Sequence, residues 1–166
     1  MEDQLCAFER DVLVIGGCGH VGLPLAIAFA DLGARVGIYD NNNFALGHTA
    51  MTINEGLPLY LVYRLEQRFD LRPMTVGILG MGFKGGSGDI RSSLSYKLKR
   101  ILAFKAGAVL CSDPYVTADS SLRPLEEVIA VADLLVIGAP HPGYRDLRTG
   151  KPVADIWGVL GRGVRV

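Results

Sequence analysis

Val12-Leu13-Val14-Ile15-Gly16-Gly17-Cys18-Gly19-His20-Val21-Gly22, followed by an apolar run to Gly33 and then by Arg35-Val36-Gly37-Ile38-Tyr39-Asp40, carries the pattern that decides the fold class. Its first four residues are a β-branched-rich run bounded by glycines, which predicts a strand buried on both faces. Residues 21–32 are apolar almost all round, and Pro24 is tolerable only near a first turn, so a buried helix follows. Gly33 stops that helix, and a second strand runs from Arg35 to Tyr39 with Asp40 at its end. Val12 to Ala30 contains no Asp, Glu, Lys or Arg and is nearly long enough to span a bilayer. Four glycines and Pro24 interrupt it, and these are poor residues for one continuous helix. Strand, turn and buried helix fit better than a membrane span.

The same order of signals returns downstream. Thr75-Val76-Gly77-Ile78-Leu79 predicts a strand, and a glycine loop runs from Gly80 to Gly88. Ser92 or Ser93 can cap a helix carrying Leu94, Leu98, Ile101 and Leu102 on one stripe. Gly107 ends it, and Ala108 to Cys111 is a strand closed by Asp113-Pro114. Residues 124–131 read as a short helix, Asp133 to Ile137 as a strand and Pro152 to Ile156 as another. Between the halves, Asn41 to Thr49 reads as a loop, and Leu57, Leu61, Leu65 and Phe69 mark a helix from Pro58 to Phe69. Strands alternating with helices imply an α/β protein, a doubly wound, three-layer parallel sheet. The expected layout is a truncated βαβ unit at 1–48, a linking helix at 49–73 and a second α/β domain at 74–166. A right-handed crossover through the linking helix would put both halves in one sheet of order 2-1-3-4-5.

The 166 residues include 17 basic and 17 acidic side chains, a balance that hides an asymmetry. Residues 1–70 carry four Arg, no Lys and nine acids, whereas residues 71–166 carry thirteen basic and eight acidic residues. A mildly basic second half suits an anionic small ligand, and a solvated surface explains it equally well. No basic run interleaved with aromatics appears, so a nucleic-acid partner is not expected. Cys6, Cys18 and Cys111 are odd in number and match no metal-ligand spacing, which argues against a disulfide framework and a metal site. The N-terminus opens Glu2-Asp3 without a basic segment, so the expectation is a soluble, cytoplasmic chain with no membrane partner.

Gly17-Cys18-Gly19-His20-Val21-Gly22 fits the G-x-G-x-x-G pattern of a Rossmann-like fold in its required context, after a strand and opening a helix. Gly17 permits the tight turn, Gly19 lets the backbone approach a pyrophosphate, and Gly22 lets helix and strand pack closely. The helix start, with His20 and Val21 in the turn, would meet the phosphates through backbone N–H groups. Asp40, eighteen residues beyond Gly22, could accept from ribose hydroxyls and would repel a 2′-phosphate, favouring NAD over NADP. The bland alternative is a glycine turn that merely joins packed elements. In the second loop, Gly80-Met81-Gly82-Phe83-Lys84-Gly85, Lys84 and the following Arg91 could clamp a phosphate. Equally, Lys84 could be solvated and Arg91 paired with Asp89. His141, between Pro140 and Pro142 at a strand end, lies where open α/β sheets place ligands, so a base role competes with a structural one.

The run from Val14 to Pro24 resembles the start of the UDP-glucose/GDP-mannose dehydrogenase family. Gly82-Phe83-Lys84 through Asp89-Ile90-Arg91-Ser92-Ser93, with Gly107-Ala108, Asp113-Pro114 and Ala132 to Ile137 closed by His141, is similar to that family's C-terminal, nucleotide-sugar-binding domain. Helix 57–69 resembles the end of its linking helix. The resemblance implies NAD-dependent oxidation at C6 of a UDP- or GDP-sugar, with Gly17, Gly19, Gly22 and Asp40 on NAD. It further implies Phe83 and Lys84 on the nucleotide sugar, and Arg91 reaching the cofactor.

One departure bears directly on activity. Family members are more than twice this length, and their nucleophilic Cys sits in a Gly-rich segment ending Phe-Pro-Lys-Asp or similar, which this sequence does not contain. The resemblance places the missing part between about Asp40 and Thr52. Cys18 in the cofactor loop reads as a small packing residue, Cys111 lies inside a strand, and no catalytic residue is assigned. Three readings follow: a shortened, binding-competent homologue that does not turn over, an oxidoreductase completed by a partner chain, and a regulatory nucleotide sensor. The helix at 21–32 is apolar on more sides than two strands can cover, so a homo-oligomer is expected.

Overall fold

The computed structural model describes residues 10–16, 21–39 and 45–161. They divide into two compact units, Met1–Asn54 and Glu55–Val166. The first holds β1 (Val12–Ile15), α1 (Gly22–Asp31) and β2 (Val36–Tyr39), with β1 and β2 parallel and Val12 opposite Val36. Gly16 closes β1 at φ +72°, a conformation that costs glycine nothing. At the other end, the Asp11 carboxylate accepts from Arg35 N–H, Nε and Nη2 at 2.8, 3.2 and 2.9 Å, and this pairing holds its pKa down at about 2. Among the described residues of this unit only Val14 and Ala26 are buried apolar side chains, whereas Leu23, Leu25, Ile27 and Leu32 on and after α1 are exposed.

A 22-residue helix, α2 (Ala45–Glu66), crosses from the first unit into the second. It begins well before the expected Pro58, so Ala45 to Thr49 is helical and not loop. Pro58 sits inside it. Sequence signals favoured a start at Pro58 because proline is best tolerated in a first turn.

The second unit continues with β3 (Thr75–Leu79), α3 (Leu94–Lys105), β4 (Ala108–Ser112), α4 (Leu125–Val131), β5 (Leu134–Ile137), a 3-10 turn at Pro142–Tyr144 and β6 (Val153–Ala154). All four strands are parallel, in the order β4-β3-β5-β6. The strands therefore form two sheets, β1-β2 and this one, and the expected single sheet of order 2-1-3-4-5 is not formed. Right-handed crossover rules constrain strands within one sheet. They do not oblige a long helix to return to the sheet it left.

Strand alternation sorts the core into two layers. Val76, Ile78, Leu134 and Val136 face Leu61, Val62 and Leu65 of α2 and Leu98 and Leu102 of α3. Leu79, Leu135, Ile137 and Val153 face Val128 and Ala132 near α4, together with Tyr144 and Leu147. β5 is buried at all four positions, as a central parallel strand covered on both faces must be. Gly77 is the one β3 residue with no side chain to bury, and a Cβ there would stand 2.7 Å from Val128 Cγ1, 2.8 Å from Leu135 Cδ2 and 3.0 Å from Ala132 Cβ. Its absence lets α4 lie close on the sheet. Gly77→Val is expected to destabilise the chain by roughly 1–3 kcal/mol through overpacking, read as a lower urea midpoint at an unchanged slope.

Candidate functional site

In the second sheet the chain runs outward from β3 to β4 and then crosses back to β5, so the order reverses between β3 and β5. Open α/β sheets bind ligands beyond the carboxyl ends of their strands at such a reversal. Three loops meet there, and one carboxylate ties them together.

Asp113, just past β4, accepts with Oδ2 from Met81 N–H at 2.6 Å and Gly82 N–H at 2.9 Å, both in the loop after β3. Its Oδ1 accepts from Tyr115 N–H at 2.7 Å and Val116 N–H at 3.1 Å. His141, beyond β5, supplies a fifth donor, with Nε2 2.9 Å from Oδ2. The tautomer follows from the other nitrogen. Nδ1 accepts from Gly86 N–H at 2.9 Å, so the proton resides on Nε2. Both side chains are fully buried. Burial alone would raise the Asp113 pKa, but the bonds from His141, Tyr115, Gly82 and Met81 outweigh it and hold the carboxyl below its usual range. Tyr115 lies over the imidazole at 4.7 Å between centroids, and Tyr144 meets it edge-on at 5.4 Å. With both ring nitrogens engaged and no exposed surface, His141 holds loops together and is not placed to act as a base.

The glycines of the loop after β3 serve the same clasp. A Cβ at Gly82 would strike Ser87 O, one at Gly85 would strike Pro140 O, and one at Gly88 would strike Tyr115 O. These close approaches join the loop to its own protein. Phe83 is anchored by its N–H to Asp89 O at 2.6 Å, while its ring is 55% exposed, and Lys84 beside it is exposed as well. Arg91 is exposed and paired with Asp89 through Nε at 3.0 Å and Nη2 at 2.8 Å. Ser92 adopts φ +57°, and Ser93 then caps α3, its Oγ accepting from Ser95 N–H at 3.3 Å. The first turn of α3 carries no acidic side chain.

Phe83, Lys84 and Arg91 are all exposed in the segment between β3 and α3. Val21 and Gly22 belong to the first unit, where Val21 is the exposed residue preceding α1 and Gly22 its first residue. Gly17, Gly19, His20 and Asp40 lie outside the described residues, as do Cys6 and Cys18. Cys111 is buried in β4, and burial pushes its thiol up to about 11. That is the opposite of activation. No group of His, Cys, Asp and Glu suited to a metal ion occurs among the described residues, and no helix there is long and apolar enough to cross a membrane. Sequence reasoning read Asp113-Pro114 as a strand end and as part of the resemblance, and missed its role as the common acceptor. It likewise passed over Asp155 and Trp157 beyond β6. An acid at the carboxyl end of a parallel strand, with glycines after the neighbouring one, was the available signal.

Residues 77–162 match the model of the UDP-glucose/GDP-mannose dehydrogenase family's UDP-binding domain. The chain is 30% identical over 130 residues to UDP-N-acetyl-D-mannosamine dehydrogenase of Pyrococcus horikoshii, a match covering 74% of this chain and 28% of that protein. It is 37% identical over 74 residues to a UDP-glucose 6-dehydrogenase of Haloferax volcanii, covering 45% of this chain and 17% of that one. Among solved structures, a UDP-glucose dehydrogenase from Pyrobaculum islandicum superposes with TM-score 0.59 at 27% identity, over 80% of this chain and 32% of its own. A GDP-mannose dehydrogenase from Pseudomonas aeruginosa shares the fold, with TM-score 0.60 at 21% identity over 96% of this chain and 40% of its own. The chain therefore spans about a third or less of the length of the curated relatives it matches.

Asp113→Asn must turn an amide N–H toward one of the two donor groups, so it is expected to cost roughly 2–4 kcal/mol at pH 7. The sign of the pH effect follows from the depressed pKa. The carboxylate's contribution is fully present above the unfolded value and is lost as pH falls through the folded one. Urea unfolding between pH 7 and pH 3 should show a steeper acid loss for the unaltered chain than for the variant.

Proposed function

The chain belongs to the UDP-glucose/GDP-mannose dehydrogenase family, and from that premise we propose that its second unit binds a nucleotide sugar while the chain by itself does not carry out the family's oxidation. The observation that supports this most directly is the coincidence of the matched UDP-binding domain, residues 77–162, with the loops clasped by Asp113. Phe83 and Lys84 stand exposed on that rigid support. In this reading Phe83 packs against the ligand and the Lys84 ammonium meets a phosphate. Arg91 is within the same loop and would exchange its pairing with Asp89 for a phosphate or cofactor oxygen.

NAD is the cofactor this reading assigns to the first unit. A parallel β1-β2 pair, a left-handed glycine after β1 and a helix opening at Gly22 form the frame on which a dinucleotide rests. Gly17, Gly19, His20, Val21 and Gly22 would hold the pyrophosphate, and Asp40 the adenosine ribose. The absent chemistry is the covalent step. Oxidising an alcohol through an aldehyde to an acid needs a thiolate that faces the sugar, and Cys111 is buried with its pKa raised. The exposed apolar surface of α1 favours self-association, so a homo-oligomer is part of the proposal.

Calorimetry on the purified chain is expected to show UDP and a UDP-sugar binding. Lys84→Ala should weaken that binding about tenfold, the scale of one charge-assisted hydrogen bond. NADH formation from a panel of UDP- and GDP-sugars should not exceed a no-protein blank. Absence of UDP binding would overturn the binding half of the reading, and turnover above the blank would overturn the other half.

A further inference from the structure

Trp157 is the sole tryptophan of the chain, and it is 53% exposed. Leaving that much indole in water is unfavourable, yet the ring is not loose. Its Nε1 donates to the carbonyl of Gly138, the residue after β5, at 3.1 Å. The loop that carries it is pinned as well. Asp155, 5% exposed, accepts from Val159 N–H at 3.0 Å and Leu160 N–H at 2.8 Å, closing the chain on itself with Trp157 and the left-handed Gly158 inside the turn. A buried carboxylate and an indole hydrogen bond thus hold one large aromatic ring in a set orientation with its surface open.

Its position gives that orientation a use. Trp157 follows β6, and its hydrogen-bond acceptor Gly138 lies at the reversal of the sheet, bonded through its N–H to Leu79 O at 2.8 Å. A Cβ at Gly138 would strike both Gly80 O and Ser95 Oγ, so the glycine loop and the first turn of α3 are its immediate neighbours. Trp157 is thus tied to the residue that lies against Gly80, where the glycine loop carrying Phe83 and Lys84 begins. An oriented, half-exposed indole at the carboxyl end of a parallel sheet is a surface on which a nucleobase can stack while its phosphates are held elsewhere.

We propose that Trp157 is the stacking platform for the base of the bound nucleotide, a specificity-determining residue of the site. The proposal rests on the nucleotide-sugar reading given above. Because the chain has one tryptophan, its fluorescence reports on this ring alone. Titration with UDP should change the emission with the same midpoint as calorimetry, whereas inorganic pyrophosphate, which lacks a base, should bind without that change. Trp157→Phe should keep UDP affinity within about threefold, and Trp157→Ala should lose about tenfold to a hundredfold, the range for removing one base-stacking ring. Trp157→Leu, which keeps apolar bulk but no ring, serves as a second test and should behave like the alanine variant. Calorimetric UDP binding that is indifferent to all three substitutions, or that leaves the emission unaltered, would overturn the role of Trp157 and leave the nucleotide-sugar reading standing. Absence of UDP binding to the unaltered chain would instead overturn that reading, and this proposal with it.

Discussion

A dehydrated carboxylate must be matched by donors, and in this chain that requirement organises the ligand end of the second sheet. Asp113 is stripped of water, a penalty of several kcal/mol unless its oxygens are satisfied. Its five donors come from the loop after β3, from its own loop after β4 and from His141 beyond β5. No one of these loops can move without exposing or orphaning the charge. Three connections that could each be mobile are thereby held as one rigid surface.

The functional proposals depend on that rigidity. Phe83 and Lys84 project from a loop whose glycines are pressed against backbone atoms of Ser87, Pro140 and Tyr115, so the exposed side chains stand on a fixed base. Trp157 repeats the device on a smaller scale, since Asp155 closes its loop and Gly138 O orients its ring. Sites held this way give up little entropy when a ligand arrives. The first unit is built differently. Among its described residues, β1, β2 and α1 leave most of their apolar side chains exposed, and a sheet of two strands is marginal without further cover.

Most of the fold was legible because its elements follow simple periodicities. β1 and β3 fall where β-branched runs end in glycine, and of the two serines offered as caps for α3 it is Ser93 that takes the role. The start of α2 was not legible. Asn41-Asn42-Asn43 and Pro58 are strong local breakers, yet the helix begins at Ala45 and carries Pro58 within it. The division into two sheets was also hidden, because crossover rules govern strands within a sheet and are silent on whether two βαβ patterns join. In the site, Lys84 and Arg91 were suggested by their place in the glycine loop and at the helix start, whereas Phe83 entered only through the resemblance. The two glycine loops could not be told apart by spacing alone. In the second of them the glycines accommodate the protein's own carbonyls, a fact that appears only when Asp113 and His141 draw Pro140 and Tyr115 inward.

The most direct test of the account is hydrogen–deuterium exchange of the full chain with and without saturating UDP. Slower exchange in peptides covering residues 82–93 and 155–160 on UDP addition, with residues 10–39 unchanged, is the result expected if the clasped loops and the Trp157 turn form the nucleotide site. Bound UDP that protects only residues 10–39, or protects neither of the two loops, would contradict it.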